Sequence, residues 1–205
     1  MLPRVPIVDS GAIVAPDIYA SDRSVFVGGF FYIFVRWNRV TSLIWEELGD
    51  LFESDDGSLG EIRVDYLDSG ATARGYALLQ RRAADFVPGW SNIDAGLGAL
   101  DAVPRASALS VGVELDAFHV RFSGLQSRGT SLPVLGVFVF PHQLAIDYQM
   151  GPHWGERELS ALFELLRDLT SLDPKASLSL EEGVVPDVAA RFQNAWRSWS
   201  VNDST

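Results

Sequence analysis

The stretch from Val134 to Leu169 limits the choice of fold more than any other part of this 205-residue chain. Val134 to Phe140 is a continuous apolar run, ended by Pro141-His142-Gln143. Leu144, Ile146, Tyr148 and Met150 then alternate with Ala145, Asp147 and Gln149, the period of a half-buried strand. Beyond Gly151-Pro152 the period changes, and Leu159, Leu162, Phe163, Leu166 and Leu169 recur at helical spacing. Strand, tight turn, strand and helix in succession predict a sheet packed on a helix within one domain.

The start of that helix is well specified. With Gly155 as N-cap, Glu158 falls at the third helical position, and Trp154 and Leu159 take the two positions of a hydrophobic staple. Glu156 and Glu158 at its start and Arg167 near its end complement the macrodipole. A last helix is predicted after Pro186-Asp187, where Val188, Phe192, Ala195, Trp196 and Trp199 share one face. A third has Ile44, Trp45, Leu48, Leu51 and Phe52 as its apolar face, with Thr41 or Ser42 as cap.

Strands are expected in three more places. Val25–Trp37 is apolar at both parities, as in a strand buried on both faces, and Gly28-Gly29 marks a bulge in it. Ile62, Val64 and Tyr66 alternate with Glu61, Arg63 and Asp65, and the turn Asp68-Ser69-Gly70 is expected to return the chain into a strand over Ala73–Leu79. Leu109, Val111, Val113 and Leu115 alternate strictly, after which Phe118, Val120 and Phe122 continue at the opposite parity. One regular strand cannot change parity, so a bulge or a turn is expected at Asp116-Ala117. The signal is poor from Gln80 to Arg105, where a short helix is read over Asn92–Leu100 and loop elsewhere.

The sum is an α+β fold: an antiparallel, or partly mixed, sheet of about five to seven strands against roughly three helices. Consecutive strands joined by short links argue against a doubly wound parallel sheet, which needs a helix between each pair. The expected division is an extended N-terminal arm over 1–23, one α+β domain over 24–200 and a polar tail over 201–205.

Composition narrows the chemistry. A hydrophobic fraction of 47% supplies a folded core. The net charge of −11 arises from only 16 basic residues, of which Lys175 is the one lysine, rather than from dense carboxylates. No basic stripe offers counterion release, so no nucleic-acid partner is expected. Cysteine is absent, which excludes disulfides, thiolate nucleophiles and cysteine-ligated metals. Pro3, Pro6 and Asp9 interrupt any export signal, and the run Val25–Val35, broken by glycines, is too short to span a bilayer. A cytoplasmic protein with no membrane partner and no cofactor is expected.

No nucleotide or nucleophile motif stands in the chain. Gly96-Leu97-Gly98 lacks a third glycine, and Gly124-Leu125-Gln126-Ser127-Arg128-Gly129 has the wrong spacing for a nucleophile elbow and reads as a flexible surface loop. An EF-hand on Gly57 would need ligands at Phe52 and Arg63. His142 and His153 are expected at opposite ends of one strand, too far apart to share a metal, and His119 is expected to face solvent.

Two surfaces remain as candidates. Glu46, Glu47, Asp50, Glu53, Asp55, Asp56 and Glu61 form the densest acidic run, with Asp50 and Glu53 at a helix C-terminus where the dipole disfavours anions; its partner-facing part is Asp50, Glu53, Asp55, Asp56 and Glu61. This segment is the expected contact for a partner protein, a basic one. The polar parities of the strands also present Arg63, Asp65, Glu114, Asp147 and Gln149, which would line one open sheet face. The leading function is a non-enzymatic protein-binding module, an adaptor or an inhibitor or immunity-type protein. The alternative is a ligand-binding protein or hydrolase-like enzyme built on Asp65, Glu114 and Asp147, two of which would have to lie within about 10 Å in a concave pocket. A third reading is a subunit of a homo-oligomer joined through Val25–Val35.

Overall fold

In a computed structural model, which describes residues 43–55, 59–91, 98–99, 117–181 and 183–202, the expected strand–turn–strand–helix unit lies at the centre of the fold. The elements before it are helix α1 (43–48), helix α2 (Asp50–Glu53), strand β1 (Leu59–Asp65), helix α3 (Ser69–Arg82), strand β2 (Asp85–Ser91) and strand β3 (Gly98–Ala99). Next come β4 (Phe118–Ser123), the short strands β5 (Gln126–Ser127) and β6 (Thr130–Ser131), then β7 (Leu135–Phe140) and β8 (Gln143–Gln149). Helix α4 (Glu156–Thr170), strand β9 (Ser177–Leu180) and helix α5 (Pro186–Asn202) complete it. The last helix thus runs two residues into the expected polar tail.

Among the described residues seven strands form one sheet in the order β3-β2-β4-β7-β8-β1-β9, each paired antiparallel to its neighbours. The α+β class is therefore as the periodicity predicts. Among the described links, α3 leads from β1 to β2, and α4 leads from β8 to β9 across β1. Ile62, Val64, Phe118, Val120, Phe122, Leu135, Val137, Val139, Leu144, Ile146 and Tyr148 are all buried on the helix side. A fully buried side chain of this size contributes about 1.5–3 kcal/mol by leaving water. No helix among the described residues is long and apolar enough to cross a membrane.

Helix α4 begins as its sequence demands. Gly155 is the N-cap in extended conformation, Trp154 and Leu159 are buried, and the Leu159–Leu169 face is fully enclosed. Helix α5 then covers α4 with Phe192, Ala195 and Trp199, while Arg167 stacks 5.1 Å from the Trp199 ring. Gln193 on α5 donates its amide to the Leu178 carbonyl on β9, which blunts that edge of the sheet. Asp173, before β9, accepts the backbone N–H groups of Leu67, Asp68 and Lys175. Those bonds, that from Lys175 foremost, hold its carboxyl below the ordinary range.

Four expectations are corrected. The segment Ala73–Leu79 is not a strand but the middle of α3, because the Asp68 carboxylate caps the Gly70 N–H at 2.9 Å and starts a helix where a turn was read. Its buried Thr72, Gly75, Tyr76 and Leu79 keep helical spacing, and Gly75 has to be small because a Cβ there would stand 2.8 Å from Leu144. The unread stretch after Gln80 holds β2, whose pattern is obscured by Pro88 and by a register shift between Pro88 and Ser91. In the expected helix Asn92–Leu100, Gly98-Ala99 instead pair as β3 with Trp90-Ser91, and the remainder lies outside the described residues. The supposed loop Gly124–Gly129 is largely the β5–β6 hairpin, with Arg128 and Gly129 at φ 48° and 80° as a two-residue hairpin turn requires. Arg128 donates to the buried Glu164 on α4 at 3.1 Å, which locks the hairpin down. The arm over 1–23, the strand Val25–Trp37, the strand Leu109–Leu115 and the cap at Thr41 or Ser42 lie outside the described residues.

Candidate functional site

With α1 to α5 contributing to the core on one side, the other parity of the sheet carries the charge. In register across five strands stand Glu61, Asp147, Gly136, Arg121 and Val87. The neighbouring row reads Arg63, Ala145, Phe138 and His119. The alternation in β1, β4 and β8 sends these side chains to one face because the pleat has a period of two.

Glu61 and Asp147 oppose each other directly, an arrangement that costs stability unless both are compensated. Each has its own partner: Arg63 donates Nε to Glu61 at 2.7 Å, and His119 Nε2 lies 3.0 Å from the Asp147 carboxylate. The second pair passes diagonally over Gly136. A Cβ at that position would run into both the Asp147 oxygens and His119 Nε2, so only glycine leaves room for the pair. Phe138 closes the other side of the imidazole, with ring centroids 4.5 Å apart. His119 Nδ1 is buried and has no hydrogen-bond partner among the described residues.

The face is hollowed into a shallow depression of about 410 Å³. Asp85, His119, Arg121, Ser123, Asp147 and Gln149 supply its polar lining. Leu59, Val87 and Val134 form an apolar rim, at 59%, 37% and 49% exposure. Arg121 is exposed and has no ion-pair partner among the described residues, and Asp85 is exposed, with one carboxylate oxygen bound to the Phe86 N–H.

Of the carboxylates expected on this face, Asp147 is at the centre. Asp65 shares the face but sits beside Gln143, which donates to it at 2.6 Å. It is four residues along β1 from Glu61, or about 13 Å from the row that holds Asp147. Asp65 therefore does not join Asp147 in the depression, and Glu114 lies outside the described residues. Arg63 and Gln149 are where their parity predicts. His119 shares this parity but is mostly enclosed, at 12% side-chain exposure, rather than facing solvent. Its Nε2 is engaged with Asp147 and its Nδ1 is enclosed. Asp85 and Arg121 were not singled out by pattern, Asp85 because the strand carrying it is unread.

The acidic run divides. Asp50 is held by Arg191 of α5 at 2.5 Å, and this bond lowers its carboxyl from the ordinary value. Arg191 also donates to the Glu47 carbonyl, so the helix-end charge is compensated within the fold. Glu53 and Asp55 are exposed, Asp56 lies outside the described residues, and Glu61 faces the sheet's polar side with Arg63. His142 in the β7–β8 turn and His153 beyond β8 are exposed at opposite ends of that strand.

Gly136→Ala is expected to part His119 from Asp147 and to destabilise the fold by about 1–3 kcal/mol, as overpacking does. The His119 ring resonances, followed by NMR, should shift in this variant; unchanged shifts and stability would show that the pair does not depend on Gly136.

No protein-family model matches the sequence, and no curated protein matches it. The chain has a partial likeness to the solved structure titled "1.75 Angstrom Resolution Crystal Structure of the Toxic C-Terminal Tip of CdiA from Pseudomonas aeruginosa in Complex with Immune Protein". The superposition has a TM-score of 0.41 and 12% identity and covers 62% of this chain and 90% of that chain. A likeness of that extent carries no argument about fold or function here.

Proposed function

We propose that this protein is a non-enzymatic protein-binding module, of the adaptor or inhibitor and immunity type, that engages a more basic partner through the sheet face that no described helix covers. The observation that carries this reading is the depression, with charged groups at its centre and exposed Leu59, Val87 and Val134 around it. Protein interfaces combine apolar contact area with a few polar groups in this way. The described part of the face carries the carboxylates Glu61, Asp65, Asp85 and Asp147 against the guanidinium groups of Arg63 and Arg121. Together with the net charge of −11, that excess steers a cationic surface towards it.

The test is capture of partners from native lysate on the immobilised protein. A double variant, Asp85→Lys with Val134→Lys, changes two exposed positions at the depression without entering the core. A basic protein retained by wild type should be lost by this variant and kept by Glu53→Lys with Asp55→Lys. The reverse pattern would move the contact to the acidic segment after α2. Identical retention by all three proteins would remove the sheet face from consideration.

A further inference from the structure

We infer that, when no other partner is bound, the depression over Gly136 is covered by a second copy of this chain in a twofold dimer. This rests on the reading of the sheet face as a protein-docking surface and adds what occupies it in the free protein.

The argument is charge complementarity within one patch. A twofold interface uses the same surface on both subunits, so the patch has to complement itself. Arg121 and Asp85 satisfy that condition. They stand on neighbouring strands of one face, in the diagonal relation set by the pairs Arg121–Val87 and Asp85–Ser123, about 7–8 Å apart. Both are exposed, and Arg121 meets no carboxylate within the described chain. A twofold axis lying in the plane of the face, between the two residues, brings each Arg121 over the Asp85 of the other copy. The same operation brings the exposed Val87 and Val134, which lie near that axis, towards their own images and takes them out of water. The net charge of −11 opposes the approach of two copies at long range. At about 0.15 M salt charges more than about 8 Å apart are largely screened, so the local pairs decide.

Sedimentation equilibrium on the full chain at about 0.15 M salt, up to about 1 mM protein, measures this directly. Wild type is expected to populate a dimer. Arg121→Asp alone and Asp85→Arg alone should each weaken it about 100-fold, because the twofold repeats every substitution at both ends and sets like charges against each other. The combined exchange Arg121→Asp with Asp85→Arg should restore association, which a variant that merely misfolds cannot do. A wild type that stays monomeric throughout overturns the inference, as do single variants that dimerise like wild type or an exchange that fails to rescue. A monomeric wild type leaves the lysate experiment free to succeed, and an empty lysate experiment leaves the sedimentation result standing, so the two failures are distinguishable.

Discussion

Trp154→Ala is expected to lower the unfolding free energy by about 3–5 kcal/mol, the range for removing a large buried aromatic side chain. Trp154 is 4% exposed and stands where α2, β8 and α4 meet. Its ring lies 5.0 Å from Phe52 and 5.5 Å from Tyr148, and those two stack on each other at 4.6 Å. Its Nε1 donates to the Gln149 carbonyl at 2.9 Å. Alanine would open a cavity among rings that belong to three elements and cannot all collapse inward together. It would also leave a carbonyl at the end of β8 without its donor. Trp154→Phe retains most of the volume and should cost less, chiefly through the missing N–H. Chemical denaturation of the two variants measures the difference, and a midpoint for the alanine variant equal to wild type would refute the staple at the start of α4.

Phe163→Ala should cost about as much, again about 3–5 kcal/mol, and with a different signature. Phe163 is fully buried on α4 and meets Phe192, Trp196 and Trp199 of α5 edge-on, at 5.9, 5.6 and 5.7 Å. These four rings join the two helices. With Phe163 removed, α5 keeps the Gln193 bond to β9, the Arg167 stack on Trp199 and the Arg191 bonds to Asp50 and the Glu47 carbonyl, none of which replaces the buried ring cluster. The exposed Arg191 bridge contributes little. Hydrogen exchange should therefore show the α5 amides opening well before those of β7 and β8, as a separate low-stability unit. If α5 in the variant exchanges as slowly as the sheet, the aromatic cluster is not what holds it.

The two misread helices and strands have one physical origin. Asp68-Ser69-Gly70 has turn composition, and the same Asp that favours a turn is also a preferred N-cap; which use prevails depends on the apolar face that follows. In α3 that face is built from Thr72, Gly75, Tyr76 and Leu79, where a glycine and a threonine weaken the hydrophobic signal. Gly75 is there to admit Leu144 and Leu169, a requirement set by packing partners far along the chain. In β2, Pro88 breaks the alternation, and the strand exists because β4 and β3 pair with it on either side. Both elements owe their form to neighbours that local pattern does not reveal.

For the candidate site, parity was legible and adjacency was not. Alternation alone assigns Arg63, Asp147 and Gln149 to a polar face, because successive side chains of a strand leave on opposite sides. It says nothing of which strands are neighbours. His119 reaches Asp147 only because β7 lies between β4 and β8, and because the β7 residue beneath the pair is Gly136. The same strand order sets Glu61 against Asp147, separates Asp65 from both and gathers Leu59, Val87 and Val134 around one depression.

Side-chain periodicity within a few turns or pleats is enough to read the α+β class, the unit from β7 to α4, the aromatic face of α5 and the polar parity of β8. That Asp68 opens a helix, that Asp50 is neutralised from α5, and that His119, Asp147, Arg121 and Asp85 share one hollow came from long-range packing. These features depend on contacts between residues far apart in the chain, and such contacts follow from how whole faces of helices and sheet pack, which no local pattern encodes.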